Sequence, residues 1–123
     1  MKRTIYDAEH EAFRSTLRSF IEREAVPHFA EWEANKQVPR EFFYQLGELG
    51  ILGFDIPEEY GGPGRTSYKF QTIITEEVVR AGVTFGGYGV STGIVLPYLL
   101  RLANDEQRKR WLPGIATGEF MLA

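Results

Sequence analysis

The sequence contains no cysteine. Disulfides, a thiolate nucleophile and cysteine-held metal are thereby excluded, and a reducing compartment suits the chain. No apolar run approaches the 18 or so residues that a membrane span requires. The opening Met1-Lys2-Arg3-Thr4-Ile5-Tyr6-Asp7 runs straight into charged residues, so no secretory signal is expected. There is no basic excess either. A net charge of -3 argues against a nucleic-acid partner, whose binders carry a basic patch or stripe. Only two histidines occur, His10 and His28, and neither has a second histidine at metal-ligand spacing. Internal repeats and low-complexity segments are also missing.

What is present is an ordinary globular balance, 43% apolar and 25% charged residues in 123. That length fits one domain with a real core. Helical periodicity dominates. Asp7 is placed to cap a first helix with Glu9 and Glu11 in its opening turn, and Phe13, Leu17, Phe20 and Ile21 form its apolar stripe. Pro27 should kink or break it, with Phe29 and Trp32 continuing in a second piece. A third helix opens near Pro39, turns Phe42, Phe43, Leu46 and Leu49 inward, and stops at Gly50. Ile51 to Arg65 reads as an ordered loop. Thr66 is expected to cap a fourth helix with Phe70, Ile73, Ile74 and Val78 inside, ended by Gly82. A fifth, glycine-rich segment runs from about Thr84 to Ala103 and should be broken or bent at Pro97. Asn104 and Gln107 spell a capping box for the last helix. Six helical pieces on short connections predict an all-α fold, a helical bundle. After Gly118 the sequence Glu119-Phe120-Met121-Leu122-Ala123 turns apolar. Its expected role is the first residues of a buried strand, the alternative being a tail docked on its own domain.

Little catalytic chemistry is written here. Glu76 and Glu77, adjacent on a helix, point about 100° apart and cannot share a proton on one face. A solvated face, or pairing with a neighbouring helix, is the expectation for them, and Glu58-Glu59 makes no stronger case. Ser15, Ser19, Ser67 and Ser91 stand in no nucleophile context. Gly87-Tyr88-Gly89-Val90-Ser91-Thr92-Gly93 approximates a dinucleotide fingerprint, but its third glycine falls one place late and a helix precedes it where a strand is needed.

Several segments, taken in order, resemble the N-terminal domain of acyl-CoA dehydrogenases. Glu9-His10-Glu11-Ala12-Phe13-Arg14 with Val26-Pro27 resembles the family's first helix. Leu46-Gly47-Glu48-Leu49-Gly50-Ile51-Leu52-Gly53 resembles its "lGelGllg" turn, and Ile56 to Gly64 its "iPeeyGGxG" loop. Thr75-Glu76-Glu77-Val78 is similar to the "xEEl" helix. Asn104 to Arg108, Trp111-Leu112-Pro113 and Thr117-Gly118-Glu119 resemble the "gseeQkxxyLPxlasGe" helix. The ordered set covers nearly the whole chain.

The resemblance implies the first part of an α-β-α flavoenzyme: residues 1–118 as the helical domain and 119–123 as the start of the first strand of a β-domain. It implies a parent enzyme that uses FAD to place a double bond between the α and β carbons of a fatty acyl-CoA, in fatty acid β-oxidation. A glutamate outside this chain would remove the α-proton while the β-hydrogen leaves as hydride. It also implies electron-transfer flavoprotein as acceptor, a homotetramer, and a cytoplasmic location, or the mitochondrial matrix in a eukaryote. The chain itself should hold no catalytic, cofactor-binding or metal-binding residue, and alone should be inactive. Related flavin oxidases and monooxygenases share the fold, so fold alone does not fix the reaction. An independent helical interaction or lipid-binding module is the reading from a different class. One substrate-contacting set is expected: Phe85, Gly89, Thr92, Gly93 and Leu96, whose spacings of 4, 3, 1 and 3 would align them along one side of a helix beside the acyl chain. Close packing of a second helix would explain Gly86, Gly87, Gly89 and Gly93 as well.

Overall fold

The computed structural model describes residues 3–123. Its elements are α1 (Ala8–Glu24), a 3-10 turn (Val26–His28), α2 (Phe29–Asn35), α3 (Arg40–Glu48), a 3-10 turn (Glu58–Tyr60), α4 (Lys69–Ala81), α5 (Tyr88–Val90), a π turn (Ser91–Val95), α6 (Leu96–Leu102) and α7 (Asp105–Thr117). Among the described residues there is no strand, as an all-α sequence pattern requires. The chain divides into two compact units. One comprises the chain up to Gln37 together with Ser67–Thr84, the other Val38–Thr66 together with Phe85–Ala123.

The first unit is built on α1 against α4. Asp7 caps α1 as expected: its Oδ1 accepts the N–H groups of Glu9 at 3.0 Å and His10 at 3.1 Å. The third helical residue closes the box: the Asp7 N–H donates to His10 Nδ1 at 3.3 Å, and that nitrogen also lies 2.7 Å from Asp7 Oδ1. Leu17, Phe20 and Ile21 are buried, and the half-buried Phe13 meets Phe70 edge-on at 5.3 Å. Pro27 has no N–H to continue the α ladder, so the chain passes through the 3-10 turn before α2 resumes and buries Trp32.

Two expectations for α4 need correcting. The helix begins at Lys69 on Tyr68, with no side-chain cap, and Thr66 stands exposed outside it. Hydrogen bonds from Gly64 N–H to Ile56 O and from Arg65 N–H to Phe54 O hold the residues just before Thr66 in the preceding loop. The inner side is Phe70, Ile73, Ile74 and Glu77, whereas Val78 is only half buried. Gly82 ends the helix in the left-handed conformation, φ +69°.

The second unit packs α3, the loop after it, the 88–102 helix and α7. Phe42, Phe43, Leu46, Ile51, Leu52 and Ile56 are all buried. The first part of the loop, through Ile51, Leu52 and Ile56, therefore belongs to the core, while Glu58, Glu59 and Arg65 stay exposed. α3 and α7 approach so closely that a Cβ on Gly47 would fall inside the van der Waals shell of the Thr117 carbonyl oxygen. The Asn104–Gln107 box forms reciprocally, at 2.9 and 3.0 Å. Pro97 does not break its segment. Helical turns run on from Tyr88 to Leu102, and the Leu96 N–H reaches back five residues to Ser91 O in a π turn. Widening the turn ahead of Pro97 accommodates a ring that would clash in a tighter one.

Glu119 to Ala123 forms no ladder with another described segment. Instead the Phe120 N–H donates to Gly114 O at 2.9 Å, the Phe120 ring covers Gly114, and Arg40 donates to the Glu119 carbonyl.

Candidate functional site

The 88–102 helix was the place to look for ligand contacts, and the structure divides the expected set. Phe85 is 3% exposed, edge-on to Phe42 at 5.0 Å and to Tyr88 at 5.9 Å. Leu96 is buried with Ile56, Leu112, Ile115 and Ala116. Both residues point into the core of their unit. Thr92 is half buried, and its hydroxyl donates to Tyr88 O at 2.8 Å. Gly89 and Gly93 lie on the outer side, where an added Cβ would meet no atom within 4 Å. Gly87 is equally open. Close packing therefore explains only Gly86, which has φ +58° and Val38 pressed against it.

Beside the open glycines lies a row that the glycine pattern obscured. Val90, Ile94, Tyr98 and Leu102 are 47%, 56%, 64% and 73% exposed. They repeat every fourth residue, a signal present in the sequence. In a pure α-helix such a row drifts sideways, because four residues turn about 400°. The π turn rotates less per residue and offsets that drift, so one outer face carries both the row and the glycines. The product is an apolar face on which Gly89 and Gly93 leave open space, with Arg101 exposed beside Leu102. Val90, Ile94, Tyr98, Leu102 and the two glycines bring no carboxylate or imidazole to it.

A cavity of about 720 Å³ opens in the same unit, lined by Val95, Leu99, Trp111, Ile115, Phe120 and Leu122, with Arg40 and Arg110 among its other neighbours.

The titratable groups are structural. Glu77, 1% exposed, sits in the first unit with Arg18 Nε at 2.8 Å, Arg80 Nε at 2.9 Å and Arg14 at 3.0 Å. The hydrogen bond from Arg18 leads in lowering its pKa to about 2; burial opposes, and Arg80 and Arg14 add to the lowering. Burial also works against the ionised form of Glu76, but hydrogen bonds from Arg14 and Arg3 outweigh it and hold that carboxyl below its ordinary value. The pair is thus charge matched to a neighbouring helix, not a general acid–base dyad. His10 is a buried histidine with Phe70 at 4.8 Å, and His28 stacks on Trp32 at 6.5 Å. Glu58 and Glu59 are exposed. Among the described residues no group of three or more His, Cys, Asp or Glu is arranged to hold a metal ion. No described helix is long and apolar enough to cross a membrane.

The glycine-rich turn does not form the phosphate-binding turn of a dinucleotide-binding βαβ unit. Gly86 and Gly87 lead into the 88–102 helix, but no strand precedes it and its first α turn gives way at once to a π turn. The pyrophosphate cradle of the dinucleotide fold needs both a strand and a full helix start.

The helical order, the start of the Ile51–Arg65 loop folded into the core and the two capped ends find their counterpart in a known domain. The family model described as acyl-CoA dehydrogenase, N-terminal domain, matches residues 7–119. The chain belongs to the acyl-CoA dehydrogenase family. Over 117 residues it is 36% identical to the mitochondrial long-chain specific acyl-CoA dehydrogenase of Sus scrofa, covering 95% of this chain and 27% of that protein. An acyl-CoA dehydrogenase crystal structure from Geobacillus kaustophilus superposes with a TM-score of 0.90 at 35% identity, over 98% of this chain and 31% of that one. A Bacillus anthracis acyl-CoA dehydrogenase solved in complex with FAD is 31% identical with a TM-score of 0.74, over 98% and 21% of the two chains. The chain thus spans about a quarter of the curated relative, and the family's oxidoreductase character attaches to proteins several times its length.

Proposed function

We propose that this chain is the N-terminal domain of an FAD-dependent enzyme that introduces the α,β double bond into a fatty acyl-CoA. In this reading residues 1–118 form the helical domain and Glu119 to Ala123 lead into the first strand of a β-domain. The domain walls the acyl pocket and contributes to subunit packing in a homotetramer. FAD is bound elsewhere in the parent protein, as is the catalytic base, and electron-transfer flavoprotein accepts the electrons. A matrix or cytoplasmic location goes with β-oxidation. The observation that carries the reading is the outer face of the 88–102 helix, on which Gly89 and Gly93 leave space beside exposed Val90 and Ile94. Such a face is complementary to a flexible hydrocarbon, each buried methylene of which contributes about 0.8 kcal/mol. Of the residues proposed to touch the acyl chain, Gly89, Gly93 and Thr92 lie on or beside that face. Phe85 and Leu96 support it from the core side.

The test is oxidation of C4 to C18 acyl-CoA by the full-length enzyme, with a dye acceptor and with oxygen, in the wild type and in Gly89→Leu. The proposal expects dye reduction, a preference for medium to long chains, and a shift toward short chains in the variant. Oxygen consumption with peroxide formation would identify an oxidase instead. An unchanged chain-length profile would remove the helix from the pocket.

A further inference from the structure

Ser91 is 2% exposed, and nothing in the sequence around it announces a role. It opens the π turn, and its carbonyl accepts the Leu96 N–H that widens that turn. Its hydroxyl oxygen faces the other way, into the unit, and accepts the Leu122 N–H at 3.3 Å. Ser91 thus makes a polar contact between the helix with the open glycine face and the segment 119–123, beside the packing of Leu122 on the cluster around Leu96. The other polar contacts of that segment run elsewhere, from Phe120 N–H to Gly114 O in α7 and from Arg40 to the Glu119 carbonyl.

Resting on the reading that the 88–102 helix walls the acyl pocket, the geometry points to Ser91 as a positioning residue for the acyl chain. It ties the wall to the 119–123 segment, so the placement of the face that carries Gly89 and Gly93 is set before substrate arrives. The half-buried Leu122 N–H needs an acceptor, and a serine hydroxyl supplies one where alanine would leave the donor unpaired. A wall held in place beforehand spares the ligand the cost of ordering it. A longer acyl chain touches more of the wall, so losing the tie weighs most on long chains.

The experiment compares Ser91→Ala, Ser91→Thr and Arg40→Ala in the full-length enzyme. Hydrogen exchange at the Leu122 amide is read together with kcat and KM for C4, C8 and C16 acyl-CoA. Ser91→Ala is expected to speed Leu122 exchange about two- to tenfold, the worth of one neutral hydrogen bond. It should raise KM for the C16 substrate by a similar factor while kcat for C4 stays unchanged. Ser91→Thr keeps the hydroxyl and should restore both readings. Arg40→Ala loosens the same segment without touching the helix, and should leave the chain-length profile alone. Unaltered Leu122 exchange in Ser91→Ala overturns the inference, as does the same chain-length shift in Arg40→Ala or an equal fall in kcat at every length. A wild type that oxidises no acyl-CoA overturns the functional reading, and the acyl role of Ser91 with it; an active wild type with any of the preceding results sinks Ser91 alone.

Discussion

The Glu77 carboxylate lies 2.8 Å from Arg18 Nε, 59 residues away in sequence, with its own side chain almost wholly removed from water. Such a charge is tolerated inside a protein only because Arg14 and Arg80 complete its hydrogen bonding. Because its folded pKa is depressed to about 2 from an ordinary 4.5, it stabilises the fold above the ordinary value. That contribution fades as pH falls from about 4.5 toward 2. Its size is on the order of 2–3 kcal/mol, allowing for solvent screening of the arginines. Urea midpoints measured from pH 7 to pH 2 should drop across this window. In Glu77→Gln most of that drop should vanish and stability at pH 7 should be lower; an identical pH profile in the variant would assign the acid sensitivity to other groups.

Glycines of this chain should respond to alanine in opposite directions. Gly47→Ala would press a methyl into the Thr117 carbonyl where α3 crosses α7, and should cost about 2–4 kcal/mol by overpacking. Gly89→Ala meets open space at a helical position and should add up to about 1 kcal/mol through helix propensity. Thermal unfolding of the two variants gives the signs directly, and equal signs would contradict the packing described.

The Asn104–Gln107 box at the start of α7 should be worth about 1 kcal/mol. Asn104→Ala is expected to lower stability by that amount, and Asn104→Asp to retain it, since the carboxylate also accepts the Gln107 N–H. Denaturant midpoints at constant slope would verify both; a neutral Asn104→Ala would show the helix end to be held by tertiary contacts alone.

Expressed as these 123 residues, the chain should retain no FAD after soaking and gel filtration, because no recognisable flavin-contacting motif lies in it. A yellow protein with near one flavin per chain would refute this. The same preparation should self-associate by light scattering. Val90, Ile94, Tyr98 and Leu102 form an uncovered apolar row, and Phe120 adds to the exposed apolar surface at 41%. Ile94→Glu with Tyr98→Lys should shift it toward monomer.

Much of this architecture was legible because its signals are local. Asp7 and Asn104 cap helices through amides two or three residues away, Pro27 denies its own turn a donor, and Gly82 and Gly118 end helices by a backbone angle that L side chains rarely adopt. The ordered family motifs compound such signals along the chain. Interactions between distant residues were not legible. For Glu77 the sequence leaves open a solvated face or pairing with a neighbouring helix; α1 decides it by bringing Arg14 and Arg18 to the carboxylate, and that pairing permits its burial. Thr66 has the chemistry of a cap, but the loop hydrogen bonds of Gly64 and Arg65 hold the neighbouring backbone elsewhere. Pro97 predicts a break or a bend; the helix continues through a π turn, with Leu96 packed in the core. Periodicity placed Phe85, Gly89, Gly93 and Leu96 on one side of an ideal helix. Which flank turned inward depended on the extra residue in that turn and on the core contacts of Phe85 and Leu96. Local sequence determines where helices start and stop; which face each one buries is decided by the partners that tertiary packing supplies.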